Sequence, residues 1–450
     1  MRNGQLDAVH SSTKNFVDEI ILSMHRNKVL QCLEDGIPDK RADNTTIPFG
    51  LTLTLAATAK MKTKTSVTDI PFAITDSRAL AELGFTLHDP EGNLGKGLMR
   101  ESSLRAIIEK YAPSELFINY NNTVQDYIMP KLDLSANIHI LDCTKLEVNF
   151  SNKNYELAGV VSDNEDNKSR GYKLSTLRGI IKDTGIIEDA RFGAINVHDS
   201  ALSEDILYNS PVLKYGDIII NDRGFISREH INYLKSHRGV DTYIPLKTNM
   251  PAYEMAISTA QYENKWMNHP NKKRINQKIA FVSNLGGFWE GDNPKDDVDF
   301  NACVVWNTKP KTVEDKYAVF ITTDLEQSAK YIIRTYELRP EIEEDYRQLK
   351  DFWQLDEFTS TKLTMIAFHI ICVLFGYLFF QIYTILPEGE KYFHKCLPVI
   401  LKNYTPEALN FIVFYIGYEF GIFSLIEFAD LYSECNDGIR QKFKNIMGTG

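Results

Sequence analysis

The spacing of apolar residues changes along the chain, and each spacing predicts a different element. Up to about residue 130 the spacing is helical. MRESSLRAIIEKY, from Met99, brings Leu104, Ile107, Ile108 and Tyr111 to one side, the i, i+3, i+4, i+7 pattern of an amphipathic helix. GIPDK and HDPEGNLGKG mark loops in this region. From Asn137 the period shortens. NIHILDCTKLEV alternates as a strand does and is broken by Asp142, and YELAGVVS and FGAINVHD also read as extended. YGDIIINDRGF is a β-branched run ending in a turn at Asn221-Asp222-Arg223-Gly224, SREHINYLKSH is helical, and VDTYIPLKTN is extended. Strands interleaved with helices predict an α/β fold. KIAFVSNLGGFW, DFNACVVWNT and DKYAVFITT then predict short strands separated by Gly, Asn, Asp and Pro. Helical spacing returns near residue 327 and continues to the end.

These patterns divide the chain into a helical N-terminal region (1–130), the first part of an α/β core (131–250), a β-rich insertion (251–326), a stretch completing the core (327–386) and a helical C-terminal region (387–450). One run, Thr364 to Leu386, is long enough to cross a bilayer and carries no formal charge. His369, Tyr377, Gln381 and Tyr383 dilute it, and its flanks are mixed in sign rather than a basic collar. It reads as a buried core helix rather than a membrane anchor, which predicts no membrane partner. A second apolar stretch, NFIVFYIGY from Asn410, falls in the region expected to be helical.

Length and composition fit this picture. A chain of 450 residues has room for several domains, and 43% apolar with 24% charged residues is ordinary for a globular protein. Cys32, Cys143, Cys303, Cys372, Cys396 and Cys435 form no C-x-x-C pair, which argues against a zinc site and a disulfide framework. The first residues lack the apolar segment of a signal peptide, so a cytoplasmic location is expected. The net charge of −10 works against nucleic-acid binding by the whole surface. It directs attention to NKWMNHPNKKRINQK, where Lys265, Lys272, Lys273, Arg274 and Lys278 occur with no acid and with Trp266. That combination suits a nucleic-acid backbone and a stacked base, although a solvated basic loop has the same composition. Trp289 and Trp306 are further stacking candidates or packing residues. Lys60, Lys62 and Lys64 form a weaker basic cluster.

The chemistry concentrates in YELRPEIEEDYRQLK, Tyr336 to Lys350. Pro340 fits the first turn of a helix, which places Tyr336 and Arg339 just ahead of it. At about 100° per residue, Glu343, Arg347 and Lys350 share a face and Ile342, Tyr346, Leu349 and Trp353 form an apolar seam beside it. Taken alone, such a stripe is an ordinary charged helix. Asp142, interrupting an apolar strand, and Asp222, at the end of another, change the reading. A carboxylate at such a place is unfavourable unless paired or metal-bound. Together with Glu343 they make a three-carboxylate oxygen site of the kind hard Mg²⁺ or Mn²⁺ ions prefer. Two such ions about 3.5–4 Å apart activate a hydroxyl and stabilise the leaving oxygen of a phosphodiester.

With these residues in place the chain resembles the DDE transposases of bacterial insertion sequences, specifically insertion-sequence family four. Tyr336, Arg339, Glu343 and Lys350 fill the Y-x2-R-x3-E-x6-K signature, LDCTK supplies Asp142 and NDRGF supplies Asp222. Pro340 stands where an aromatic often follows the arginine. The resemblance implies a ribonuclease-H-like core with the acids on the first strand, near the end of the fourth, and on a helix after the insertion. It implies that Asp142, Asp222 and Glu343 are catalytic and ligate two Mg²⁺ or Mn²⁺ ions. Tyr336, Arg339 and Lys350 would hold transposon-end phosphates, with Arg347 beside them and Lys265, Lys272, Lys273 and Arg274 gripping end DNA. The implied partners are the terminal inverted repeats, target DNA and a second copy of the chain in a synaptic homodimer, with the N-terminal region reading the ends. The implied reaction is cut-and-paste transposition. A nuclease of the same fold without strand transfer, and a non-catalytic DNA-binding derivative, are the alternatives.

Overall fold

A computed structural model describes residues 8–41, 49–74, 76–83, 95–96, 101–164, 167–288, 297–312, 314–416 and 419–447. The chain divides into two compact units: Asp133–Asn152 with Leu157–Arg347, and Met1–Leu132 with Lys153–Glu156 and Gln348–Gly450.

The first of these is built on one mixed sheet. Its strands are β1 (Ile138–Val148), β2 (Gly159–Asn164), β3 (Asn167–Ile181), β4 (Thr184–Ala194), β5 (Ile218–Asn221) and β6 (Asp241–Pro245). They continue as β7 (Met267–Asn268), β8 (Gln277–Leu285), β9 (Phe300–Asn307) and β10 (Tyr317–Thr322). β3 and β4 form a long hairpin closed by Lys182 and Asp183, both at positive φ (48° and 60°). Two consecutive left-handed residues match the twist of the flanking strands. β1 pairs antiparallel with β3 and parallel with β5, and β5 pairs parallel with β6. The core order β4-β3-β1-β5-β6 is that of a ribonuclease-H-like fold. Parallel neighbours require crossovers, and helices α1 (Asp199–Asn209) and α2 (Arg228–Tyr233) lie between β4, β5 and β6 in the chain.

The strands expected as a β-rich insertion over 251–326 extend the core sheet. β10 pairs with β6, β9 with β10, and β8 with β9, all antiparallel, so the core sheet runs on through them. Residues 251–263 of that stretch are helix α3 (Pro251–Glu263). The helices α4 (Ala329–Tyr336) and α5 (Pro340–Asp351) follow β10, and the division between units falls within α5, after Arg347. Strand alternation sends Leu141 and Leu177 into an apolar core with Ile206, Ile231 and Ala256 from α1, α2 and α3. Asp142 therefore faces the other side of the sheet.

In the second unit the apolar run is a helix, Leu363–Ile385. It is long and apolar enough to cross a membrane, but it is mostly buried within the protein. It packs on helices Phe16–Arg26, Phe49–Met61 and Pro113–Asn122, with ring contacts such as Tyr120–Phe375 at 4.8 Å. It is the core helix of that unit. The region beyond residue 387, expected to be dominated by helix, also holds a hairpin, Glu407–Ile416 with Glu419–Ser424, and Ala8–Lys14 pairs with its first strand. β-branched and aromatic residues dominate FIVFYI, and these fit a pleated surface better than a helix. The lysine cluster of this unit is mostly structural. Lys60 is buried and donates to the carbonyls of Lys64 and Thr65, and Lys62 pairs with buried Asp18 at 2.8 Å.

Candidate active site

The ladder between β1 and β5 ends with Leu141 beside Asn221. One residue further on each strand stand Asp142 and Asp222, on neighbouring strands about 4.8 Å apart. The third acid arrives from above the sheet. α4 ends at Tyr336, residues 337–339 form a turn, and Pro340 opens α5, as its fixed φ and missing N–H favour. Tyr336 and Arg339 thus precede the helix that carries Glu343. The apolar seam is buried as its spacing predicts, with Ile342 and Leu349 fully covered.

Arg339 ties the three acids together. Its guanidinium donates to Asp142 Oδ2 at 2.8 Å, lies 3.8 Å from Asp222 Oδ2, and pairs with Glu343. The acids differ in exposure: the Asp142 side chain is 11% exposed, Asp222 38% and Glu343 56%. The site therefore opens outward from Asp142. Burial pushes the Asp142 carboxyl up to about 6, against the pull of Arg339 and the Cys143 N–H, which donates to Oδ1 at 2.8 Å. Burial disfavours a charged Arg339, but the three carboxylates outweigh it and hold the guanidinium protonated more firmly than usual. Burial also pushes the Tyr336 hydroxyl up to about 12, and its ring packs on Phe320 at 4.7 Å.

The acids suit a divalent cation in kind: all their donors are carboxylate oxygens, and they already surround a positive group. Among the described residues no three His, Cys, Asp or Glu side chains form a ready-made metal cage. In this arrangement the guanidinium stands among the acids. Its Nε is buried with no hydrogen-bond partner, so the acids do not satisfy Arg339 fully.

A cleft of about 620 Å³ beside Arg339 is lined by Tyr336, Phe320, His269, Asn271 and Arg274, among others. The basic segment thus borders the same cleft as the arginine that gathers the acids. Arg274 pairs with Glu337 at 2.9 Å, Lys265 with Glu263 at 3.2 Å, and Lys272 and Lys273 are exposed. Arg347 is exposed and pairs with Glu344 at 2.6 Å. Lys350 is partly buried, on the part of α5 that belongs to the other unit. Trp266 and Trp306 pack on each other, centroids 5.3 Å apart, and Trp289 lies outside the described residues.

The model of the transposase DDE domain matches residues 137–379. The chain belongs to that family. No curated protein matches it. Members of the transposase DDE family are nucleic-acid-cleaving enzymes that bind DNA and use divalent metal ions. Within this transposase DDE domain, His198, ahead of α1, is a helix cap: its Nδ1 accepts from the Ser200 N–H at 3.3 Å. The polar groups that seat α5 on the sheet were not evident as such in the sequence: Tyr346, in the apolar seam, and Arg178 and Thr176, on β3.

Proposed function

We propose that this chain is the transposase of an insertion sequence of the family-four type. It cuts DNA at the element's terminal inverted repeats and joins the freed 3′-hydroxyl to target DNA, by a cut-and-paste route. The observation that carries the reading is the meeting of Asp142, Asp222 and Glu343 around one cation, Arg339.

In this reading the three acids are the catalytic residues and hold two Mg²⁺ or Mn²⁺ ions. The chemistry such ions supply is activation of the attacking oxygen and neutralisation of charge on the leaving one. Arg339 offers a planar fork of donors that suits a phosphate, and its unpartnered Nε fits that use. A phosphate drawing the guanidinium away leaves the carboxylates free for metal. Tyr336, Arg347 and Lys350 add donors along the same turn and helix. Lys272, Lys273, Arg274 and Lys265 would track the DNA backbone beside the cleft. Two ends must be brought together, so the working form is a homodimer on paired ends, acting in the cytoplasm at the nucleoid.

The test is cleavage and strand transfer on DNA carrying the flanking terminal repeats, with Mg²⁺. Asp142→Asn, Asp222→Asn and Glu343→Gln each abolish cleavage while retaining end binding. An acid whose substitution leaves cleavage intact is not catalytic, and cleavage without joining identifies a nuclease instead.

A further inference from the structure

Asp142 and Glu343 come from a strand and a helix distant in the chain. Their spacing depends on how the helix seats on the sheet. Apolar burial is non-directional, so the burial of Ile342 does not by itself set the height or rotation of α5. A hydrogen bond does set them, through its narrow range of length and angle. Tyr346 lies one turn beyond Glu343 and is buried, and its hydroxyl donates to the main-chain carbonyl of Asp142 at 2.7 Å. A phenol has one proton to give. Thr176 Oγ1, 2.7 Å from the phenol oxygen, is therefore the donor in that second bond. Thr176 is also the residue directly opposite Asp142 in the β1–β3 ladder. The hydroxyl thus sits at the first acid's own ladder position. Two residues along β3, Arg178 holds Asp345 at 2.5 Å and Glu341 at 3.0 Å, which resists rotation of the same helix.

We infer that Tyr346 is a positioning residue that fixes Glu343 relative to Asp142, so that both carboxylates address the same cation. This rests on the reading of those acids as metal ligands. Tyr346→Phe keeps the ring and removes only the hydroxyl, leaving the Asp142 carbonyl without that donor. Partners that orient metal ligands typically contribute about 10–100-fold to metal affinity. The same range is expected here, without loss of end-DNA binding.

The measurement is a Mn²⁺ titration of the full chain without DNA, followed by electron paramagnetic resonance. Tyr346→Phe weakens Mn²⁺ binding by about tenfold or more, and Thr176→Val shifts it the same way by less. Val304→Ala, a cavity variant in buried β9 of the same unit, controls for reduced stability and leaves the midpoint unchanged. If Tyr346→Phe and Thr176→Val titrate like Val304→Ala, the positioning role is overturned. Asp142→Asn separates the two failures: if it keeps full Mn²⁺ affinity, the assignment of the acids fails. If it loses affinity while Tyr346→Phe does not, only the positioning inference fails.

Discussion

Removing the Arg339 guanidinium should tighten metal binding in the DNA-free protein, an unusual direction for a substitution inside an active site. The magnitude follows from the contacts a divalent ion must replace. The bond to Asp142 joins side chains only 17% and 11% exposed. A hydrogen bond to a charged group of that kind contributes about 1.5–3 kcal/mol. The contacts with Asp222 and Glu343 involve carboxylates 38% and 56% exposed, and each such pair contributes about 0–1 kcal/mol. The sum is about 1.5–5 kcal/mol, and about 1.4 kcal/mol corresponds to tenfold in an equilibrium constant. Arg339→Ala is therefore expected to bind Mn²⁺ about tenfold more tightly or better without DNA, by calorimetric titration well above pH 6, because losing the guanidinium that pulls the Asp142 pKa down leaves that carboxyl higher still. Terminal-repeat DNA should tighten Mn²⁺ binding to the unaltered protein and have little effect on the variant. Equal or weaker Mn²⁺ affinity in Arg339→Ala refutes the competition.

Two further outcomes follow from other parts of the same unit. His139 is buried between Glu188 at 2.8 Å and Asp217 at 3.3 Å; burial opposes its charge, but the two carboxylates outweigh it and raise its pKa to about 9. Because this lies above the unfolded value of 6.5, its contribution is complete below about pH 6.5 and is lost as pH rises toward 9. At about 1.4 kcal/mol per pH unit between the two values, the loss is about 3.5 kcal/mol at most. Urea midpoints of the unaltered protein should fall over that window and those of His139→Gln should not; parallel curves would remove the account. Reversing Lys272 and Lys273 to Glu should weaken end-DNA binding and flatten its salt dependence, by about 0.9 in the log–log slope for each phosphate no longer neutralised. An unchanged slope would place the DNA elsewhere.

Most of the candidate chemistry is legible in the sequence. Asp142 and Asp222 stand out as carboxylates set in β-branched runs, and Pro340 marks where α5 begins. These signals are local, because strand alternation, turn residues and helix starts depend on neighbours a few positions away. The buried seam of α5 is legible for the same reason. Composition and local pattern misjudge other features. Lys60 and Lys62 resemble an exposed basic patch, yet one donates to the Lys64 and Thr65 carbonyls just beyond its helix and the other pairs with buried Asp18. The strands after residue 276 read as a β-rich stretch, and only the edge pairing through β10 shows that they extend the core sheet.

What no local pattern reveals is which groups meet. Arg339 pairs with its sequence neighbour Glu343 and also bonds to the distant Asp142, and Tyr346 bonds to the carbonyl of that same aspartate. Those contacts depend on sheet register, on the parallel pairing that brings Asp142 beside Asp222, and on the height at which α5 sits. Register and height are set by long-range hydrogen bonds and by packing across the whole sheet. The residue types of this site are therefore written in the chain, while their partners exist only once the sheet has formed.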